Sequence, residues 1–265
     1  MMIEEPIELV SNREVASNIF LMGLRSSSIA KKASAGQFVM IRVRDGMDPL
    51  LRRPFSICGV LDNDIVLILY RVVGRGTNLM ADLKAGQKLS VLGPLGYGFE
   101  LPKKEKTPVL IAGGIGIAPL FFLAQSLKRQ DLKFMAGFSA SKEIVLGDFM
   151  RDIDVNMSIS TDDGTEGHHG MVTDLLNEYL RINYKTKDMV SLFACGPISM
   201  LKKVTGIVTQ ENLQCSVSLE AYMACGLGAC QGCAVKASSM EKREYVHVCK
   251  DGPVFSVDAI DWKSI

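Results

Sequence analysis

Four cysteines fall in the arrangement Cys225-x4-Cys230-x2-Cys233-x15-Cys249, three on one short stretch and a fourth arriving alone. Thiolates in this three-plus-one form suit a [2Fe-2S] core, which one loop wraps and a neighbouring strand completes. Gly226, Gly228 and Gly232 are interleaved with them. Residues without a side chain let such a loop bend tightly and bring N–H groups toward sulfur, where they stabilise negative charge. Structural zinc also takes four thiolates, but its ligands usually come as two symmetric pairs a few residues apart. Iron–sulfur is the expectation and zinc the alternative. Rieske-type ligation would need two histidines in place of two cysteines, so His247, His168 and His169 are read as surface or packing residues.

Cys58, Cys195 and Cys215 stand apart from this group. An odd count of seven, with acidic residues rather than a basic and apolar leader at the N-terminus, argues against a disulfide framework and for a reducing, cytoplasmic location.

Two further segments have cofactor chemistry. Arg53-Pro54-Phe55-Ser56 places an Arg beside a proline of fixed φ and then a Ser. The guanidinium fork suits a pyrophosphate, and a hydroxyl can bond the polar edge of a ring. A solvated strand end would read the same way. Leu69-Tyr70-Arg71, followed by Gly74-Arg75-Gly76-Thr77, adds a strand that leads into a turn and a short helix whose free N–H groups could hold a phosphate.

Gly113-Gly114-Ile115-Gly116 stands between a strand and a helix, as a phosphate-cradling turn should, although it is not the Gly-x-Gly-x-x-Gly fingerprint. Its glycines could serve only tight strand–helix packing. Cys195-Gly196-Pro197 has no Cys-His-Asn arrangement around it, so Cys195 is read as a small buried residue and not a nucleophile. The acidic pair Asp162-Asp163 lies in a loop after a strand, where α/β domains place ligand contacts, though turn chemistry alone would explain it.

The elements that must position these groups change character along the chain. Before residue 103 there are strands at 7–10, 19–24, 37–43, 54–60, 65–72 and 88–92, separated by turn signals, with one short helix near 78–83. After a charged hinge at 103–106, strands at 109–112, 133–138, 156–161, 189–194 and 214–219 alternate with helices at 118–129, 171–179 and 199–209. That alternation implies a parallel sheet with crossover helices. The expected architecture is multidomain β and α/β: an antiparallel barrel over 1–103, a nucleotide-binding α/β domain over 104–219, and a cysteine-bearing subdomain over 220–265 that is too small to hold together without a staple. Residues 107–127 carry no charge, but Gly113, Gly114, Gly116 and Pro119 break the run, so no membrane span is expected. Basic residues number 30 against 29 acidic, which gives no footprint for nucleic acid.

Taken in order, these motifs resemble the ferredoxin-NADP reductase superfamily, in the branch of dihydroorotate dehydrogenase B electron-transfer subunits. The resemblance covers essentially the whole chain. It implies that Arg53, Pro54, Phe55, Ser56, Leu69, Tyr70, Arg71, Gly76 and Thr77 bind FAD in a six-stranded barrel. It further implies that Gly113, Gly114 and Gly116 approach NAD(H) with Cys195, Gly196 and Pro197 near the nicotinamide, and that Cys225, Cys230, Cys233 and Cys249 hold a [2Fe-2S] cluster. No catalytic acid–base residue is implied, because the cofactors carry the electrons. The three units leave no room for a barrel around a second flavin, so the resemblance implies a separate FMN-containing dihydroorotate dehydrogenase subunit, in a heterotetramer of two copies of each. Subunits of hydrogenase, sulfide dehydrogenase or NADH-dependent ferredoxin:NADP oxidoreductase complexes share every motif; a zinc-stapled nucleotide-sensing regulator is the alternative from another class. The run Tyr245-Val246-His247-Val248-Cys249-Lys250-Asp251-Gly252-Pro253 favours the dihydroorotate branch by resemblance.

Overall fold

A computed structural model of the chain describes residues 3–145 and 155–265. The first six strands are β1 (Ile3–Ala16), β2 (Ile19–Arg25), β3 (Phe38–Arg42), β4 (Arg53–Leu61), β5 (Ile65–Arg71) and β6 (Lys88–Leu95). They close in the order β1-β2-β5-β4-β3-β6, with every adjacent pair antiparallel. Closure leaves no unpaired edge. The β4–β5 hairpin turns on Asp62 and Asn63 at φ 49° and 59°, a left-handed pair that short polar side chains tolerate and that matches strand twist. Helix α1 (Ser27–Ala30) is capped by the Ser26 side chain, and helix α2 (Arg75–Ala81) follows β5. α2 begins earlier than its apolar residues suggest, because Thr77 Oγ1 accepts the N–H groups of Val73 and Gly74 and winds the glycine motif into the first turn.

The second unit is built on β7 (Thr107–Gly113), α3 (Ile117–Leu127), β8 (Lys133–Phe138), β9 (Asn156–Thr161), β10 (His168–His169), α4 (Val172–Ile182), β11 (Val190–Cys195), α5 (Ile198–Gln210) and β12 (Cys215–Ser218). The uncharged run at 107–127 is thus a strand, a 3-10 turn and a helix, and no helix among the described residues is long and apolar enough to cross a membrane.

The C-terminal segment adds β13 (Ala234–Lys236), β14 (Tyr245–His247) and β15 (Val254–Ser256). β13 and β14 form their own ribbon, whereas β15 joins the large sheet, whose order is β10-β9-β8-β7-β11-β12-β15. β15 runs antiparallel to β12 and the other neighbours in this sheet are parallel. Three residues of the segment after residue 219 thus finish the nucleotide sheet. It also reaches the barrel, where Tyr97 N–H donates to the Gly252 carbonyl at 2.6 Å. Its apolar residues Val246, Val248, Phe255 and Ile260 share one core with Val217 and Leu192 of the sheet and with Phe38, Met40 and Leu95 of the barrel. Each fully buried aliphatic side chain contributes about 1.5–3 kcal/mol. The segment borrows a core it is too short to build.

Candidate functional site

The cysteine loop rests on the barrel. Gly226 and Gly228 sit at φ 72° and 77°, which side-chain-bearing residues adopt at a cost. A Cβ on Gly226 would stand 2.7 Å from Met40 Cγ, and Met40 is paired across the sheet with Pro54. Backbone N–H groups converge on sulfur, as the interleaved glycines suggest: Leu227 N and Cys230 N reach Cys225 Sγ at 3.3 and 3.4 Å, Gly228 N reaches Cys249 Sγ at 3.1 Å, and Gly232 N reaches Cys230 Sγ at 3.5 Å. Burial opposes a thiolate at Cys225, but the N–H groups of Leu227, Cys230 and Ala229, with the Cys230 thiol, outweigh it and draw its pKa down to about 6. Burial and the neighbouring Cys233 sulfur push Cys249 up to about 12.

The sulfurs are arranged in pairs. Cys233 Sγ and Cys249 Sγ lie 3.2 Å apart, both side chains buried, and Cys225 and Cys230 interact on the more open side of the loop. All seven cysteines are free thiols. Among the described residues no three His, Cys, Asp or Glu side chains converge on one point that a single ion could take. Four thiolates in two pairs are a donor set that could hold a two-iron centre.

Next to the loop lies the Arg-Pro-Phe-Ser strand. Arg53, Pro54, Phe55 and Ser56 are all half-buried, forming an open face on β4. Arg53 lies over the first turn of α2 so closely that a Cβ on Gly76 would stand 2.5 Å from its Nε. Two motifs separated in sequence thus form one cradle of guanidinium and helix-start N–H groups, a donor set that fits the pyrophosphate of a flavin dinucleotide. The preceding Arg52 is not part of it, since its guanidinium donates to the Ser90 carbonyl and pairs with Glu4.

The Tyr70 side chain turns into the barrel. Its ring is 1% exposed, stacks on Phe20 and meets Phe55 edge-on at 5.8 Å. Its hydroxyl donates to Asn12 Oδ1, and Asn12 in turn donates to the Met80 carbonyl, so Tyr70 fastens α2 to the barrel. Burial raises its pKa to about 12. Leu69 is buried as well. Both side chains face the barrel interior, and their main chain is the part left for the cofactor contact that the resemblance implies.

A cleft of about 450 Å³ opens beyond this strand, at the carboxyl ends of β7 and β11. There the strand order reverses about β7, the place where α/β sheets bind ligands. Gly113, Gly114, Gly196 and Pro197 line it, together with Arg71 from the barrel. The glycines divide their work. A Cβ on Gly116 would stand 2.3 Å from the Cys195 carbonyl oxygen and one on Gly113 would stand 2.5 Å from Met200 Sδ, so these two permit packing. Gly114, at φ 51°, leaves the cleft floor bare. The side chain of Cys195 is buried beneath, and burial holds its thiol protonated.

The acidic loop also splits. Asp162 lines the cleft, while the Asp163 carboxylate accepts from Thr165 N and Thr165 Oγ1 as turn chemistry. Sequence reasoning missed Glu143, Met171, Lys203 and Glu220, all of which line the cleft. Glu220 is within reach of sequence reasoning, since it lies two residues past β12 and the carboxyl ends of parallel strands are where ligand contacts collect.

A flavin-type barrel, a switch-point cleft and a loop with two thiolate pairs define the class, an oxidoreductase subunit that carries electrons. A family model for the iron-sulfur cluster binding domain of dihydroorotate dehydrogenase B matches residues 220–261. Over 262 residues the chain is 35% identical to the dihydroorotate dehydrogenase B (NAD(+)) electron transfer subunit of Fusobacterium nucleatum, covering 97% of this chain and 98% of that one. The NADH-dependent reduced ferredoxin-NADP oxidoreductase structure superposes with a TM-score of 0.83 at 27% identity, over 97% of this chain and 90% of the other. A ferredoxin NADP+ reductase from Neisseria gonorrhoeae, with bound FAD and NADP, shares the fold at a TM-score of 0.66 and 17% identity, over 78% of this chain and 91% of that one. The chain belongs to the family of dihydroorotate dehydrogenase B electron-transfer subunits.

Proposed function

We propose that this chain carries electrons from a partner dihydroorotate dehydrogenase to NAD+, using a [2Fe-2S] cluster and FAD held in its own sites. Nicotinamide exchanges two electrons as hydride, an iron–sulfur centre exchanges one, and a flavin can do either, so the three together convert pairs to single electrons. Arg53 and the first turn of α2 hold the flavin pyrophosphate, and Pro54 to Ser56 offer the open strand for its ring. Gly114, Gly196 and Pro197 shape the cleft for NAD(H). Cys225, Cys230, Cys233 and Cys249 hold the irons, with the surrounding N–H groups stabilising thiolate charge. The units 1–103, 104–219 and 220–265 divide the work in that order.

The observation that carries this reading is the contact between Gly226 and Met40, which seats the cysteine loop on the strand paired with Pro54. The partner is read as the FMN-containing catalytic subunit, two copies of each in a cytoplasmic heterotetramer. Purified chain loaded with both cofactors is expected to reduce dyes with NADH and to leave dihydroorotate untouched until the partner is added. Turnover of dihydroorotate by the chain alone would refute the division of labour. A second reading, a subunit of an NADH-dependent ferredoxin:NADP oxidoreductase, is favoured by the likeness over 97% of the chain. Purification of the native complex separates the two by the identity of the partner.

A further inference from the structure

Arg71 and Glu143 come from different units and meet inside the cleft. Arg71 ends β5 of the barrel, and Glu143 follows β8 in the short 3-10 turn Ser141–Glu143. The guanidinium grips the carboxylate with both prongs, Nη1 to Oε1 at 3.0 Å and Nη2 to Oε2 at 2.9 Å. Beside this pair Ser17 N donates to the Lys142 carbonyl at 3.0 Å, a main-chain tie across the same seam. Arg71 Nη2 stands 3.8 Å from where a Cβ of Gly114 would be, so the guanidinium overhangs the bare glycine of the cleft floor.

From this geometry we infer that Glu143 sets the affinity of the cleft for dinucleotides by occupying Arg71, and that a ligand's pyrophosphate must displace it. The inference rests on the nucleotide reading above. Among the described residues the cleft lining carries two cations, Arg71 and Lys203, against three carboxylates, Glu143, Asp162 and Glu220. Lys203 Nζ rests 2.7 Å from Met171 Sδ, a weak acceptor. A pyrophosphate entering over Gly114 meets a lining that is unfavourable to it while Arg71 is engaged. One planar guanidinium presents this two-pronged fork to one oxyanion at a time, so phosphate and Glu143 compete for it. Glu143 spares the empty cleft an unpaired cation and weakens the hold on a dinucleotide that must leave after each turnover.

The test uses protein loaded with flavin and iron, titrated calorimetrically with ADP-ribose, which has the pyrophosphate, and with adenosine, which does not. Glu143→Gln is expected to tighten ADP-ribose about tenfold, the scale of one charge-assisted hydrogen bond, and to leave adenosine binding where it was. The KM for NADH in dye reduction falls with it. In an Arg71→Gln background the gain disappears. Should Glu143→Gln not fold, Glu143→Asp takes its place: its shorter arm breaks the two-pronged grip and gives a smaller gain in the same direction. Unchanged or weaker ADP-ribose binding, or a gain that survives Arg71→Gln, overturns the inference. Failure of the wild-type chain to bind ADP-ribose at all would instead sink the nucleotide reading beneath it.

Discussion

Gly226 lies against Met40 so closely that any side chain at 226 would have to displace the thioether or the loop, with a Cβ 2.7 Å from Met40 Cγ. The cysteine loop is thereby pressed onto β3, whose partner strand β4 carries Arg53 to Ser56. Distance between the cysteine loop and the Arg53 to Ser56 strand is fixed here by packing and not by a linker.

Replacing Gly226 with Ala should therefore damage the cluster site first. A non-glycine residue at φ 72° and overpacking of the Met40 contact together cost about 1–3 kcal/mol. Iron and acid-labile sulfide per chain are expected to fall, with flavin content retained; Met40→Ala in the same chain should restore part of the loss by opening space.

Cys230 is the exposed member of the four. Cys230→Ser is expected to remove the cluster's visible absorption and partner-linked turnover while FAD and NADH-dye reduction persist. Unchanged iron content would show that the ligand set is wrong.

In the proposed flavin site Arg53 is the charge-assisted donor to the pyrophosphate. Such bonds contribute about 1.5–3 kcal/mol, so Arg53→Ala should weaken FAD about ten- to a hundredfold. The matching control is Arg52→Ala, expected to leave the FAD dissociation constant alone because Arg52 serves Ser90 and Glu4. Fluorescence of released flavin on dilution distinguishes the two.

Glu143 gives a pH signature. Arg71 holds its carboxyl below the ordinary 4.5, so the folded state favours the ionised form. The pair's stabilisation is complete above the ordinary Glu value and is lost as acid carries the pH down through the lowered one. Thermal unfolding of wild type and Glu143→Gln should differ near neutrality and converge in that acid window. A difference that grew with acidity would contradict the assignment.

Much of this was legible before folding, for reasons of range. The cysteine ligands, the Arg53 segment and the Gly113 to Gly116 turn each declare themselves within a few residues, through spacing or punctuation. Most of the longer helices and strands follow from apolar period, whereas α2 and the short strands β10, β13 and β14 do not. What stayed hidden depends on contacts between distant segments. Glu143 acquires its meaning only from Arg71, 72 residues away. The inward turn of the Tyr70 ring onto Asn12, 58 residues away, follows only from barrel closure. β15 is three residues long, too short to show a period, and its place beside β12 is decided by the sheet edge.

The central claim is that electrons entering at the cleft reach the cysteine loop within this one chain. Anaerobic titration of the flavin- and iron-loaded chain with NADH, followed by electron paramagnetic resonance with dithionite as the reference, tests it most directly. The account predicts that NADH alone raises the reduced [2Fe-2S] signal as the flavin bleaches. Flavin that bleaches while a dithionite-reducible cluster stays silent, or reconstituted protein with no iron signal under either reductant, would contradict it.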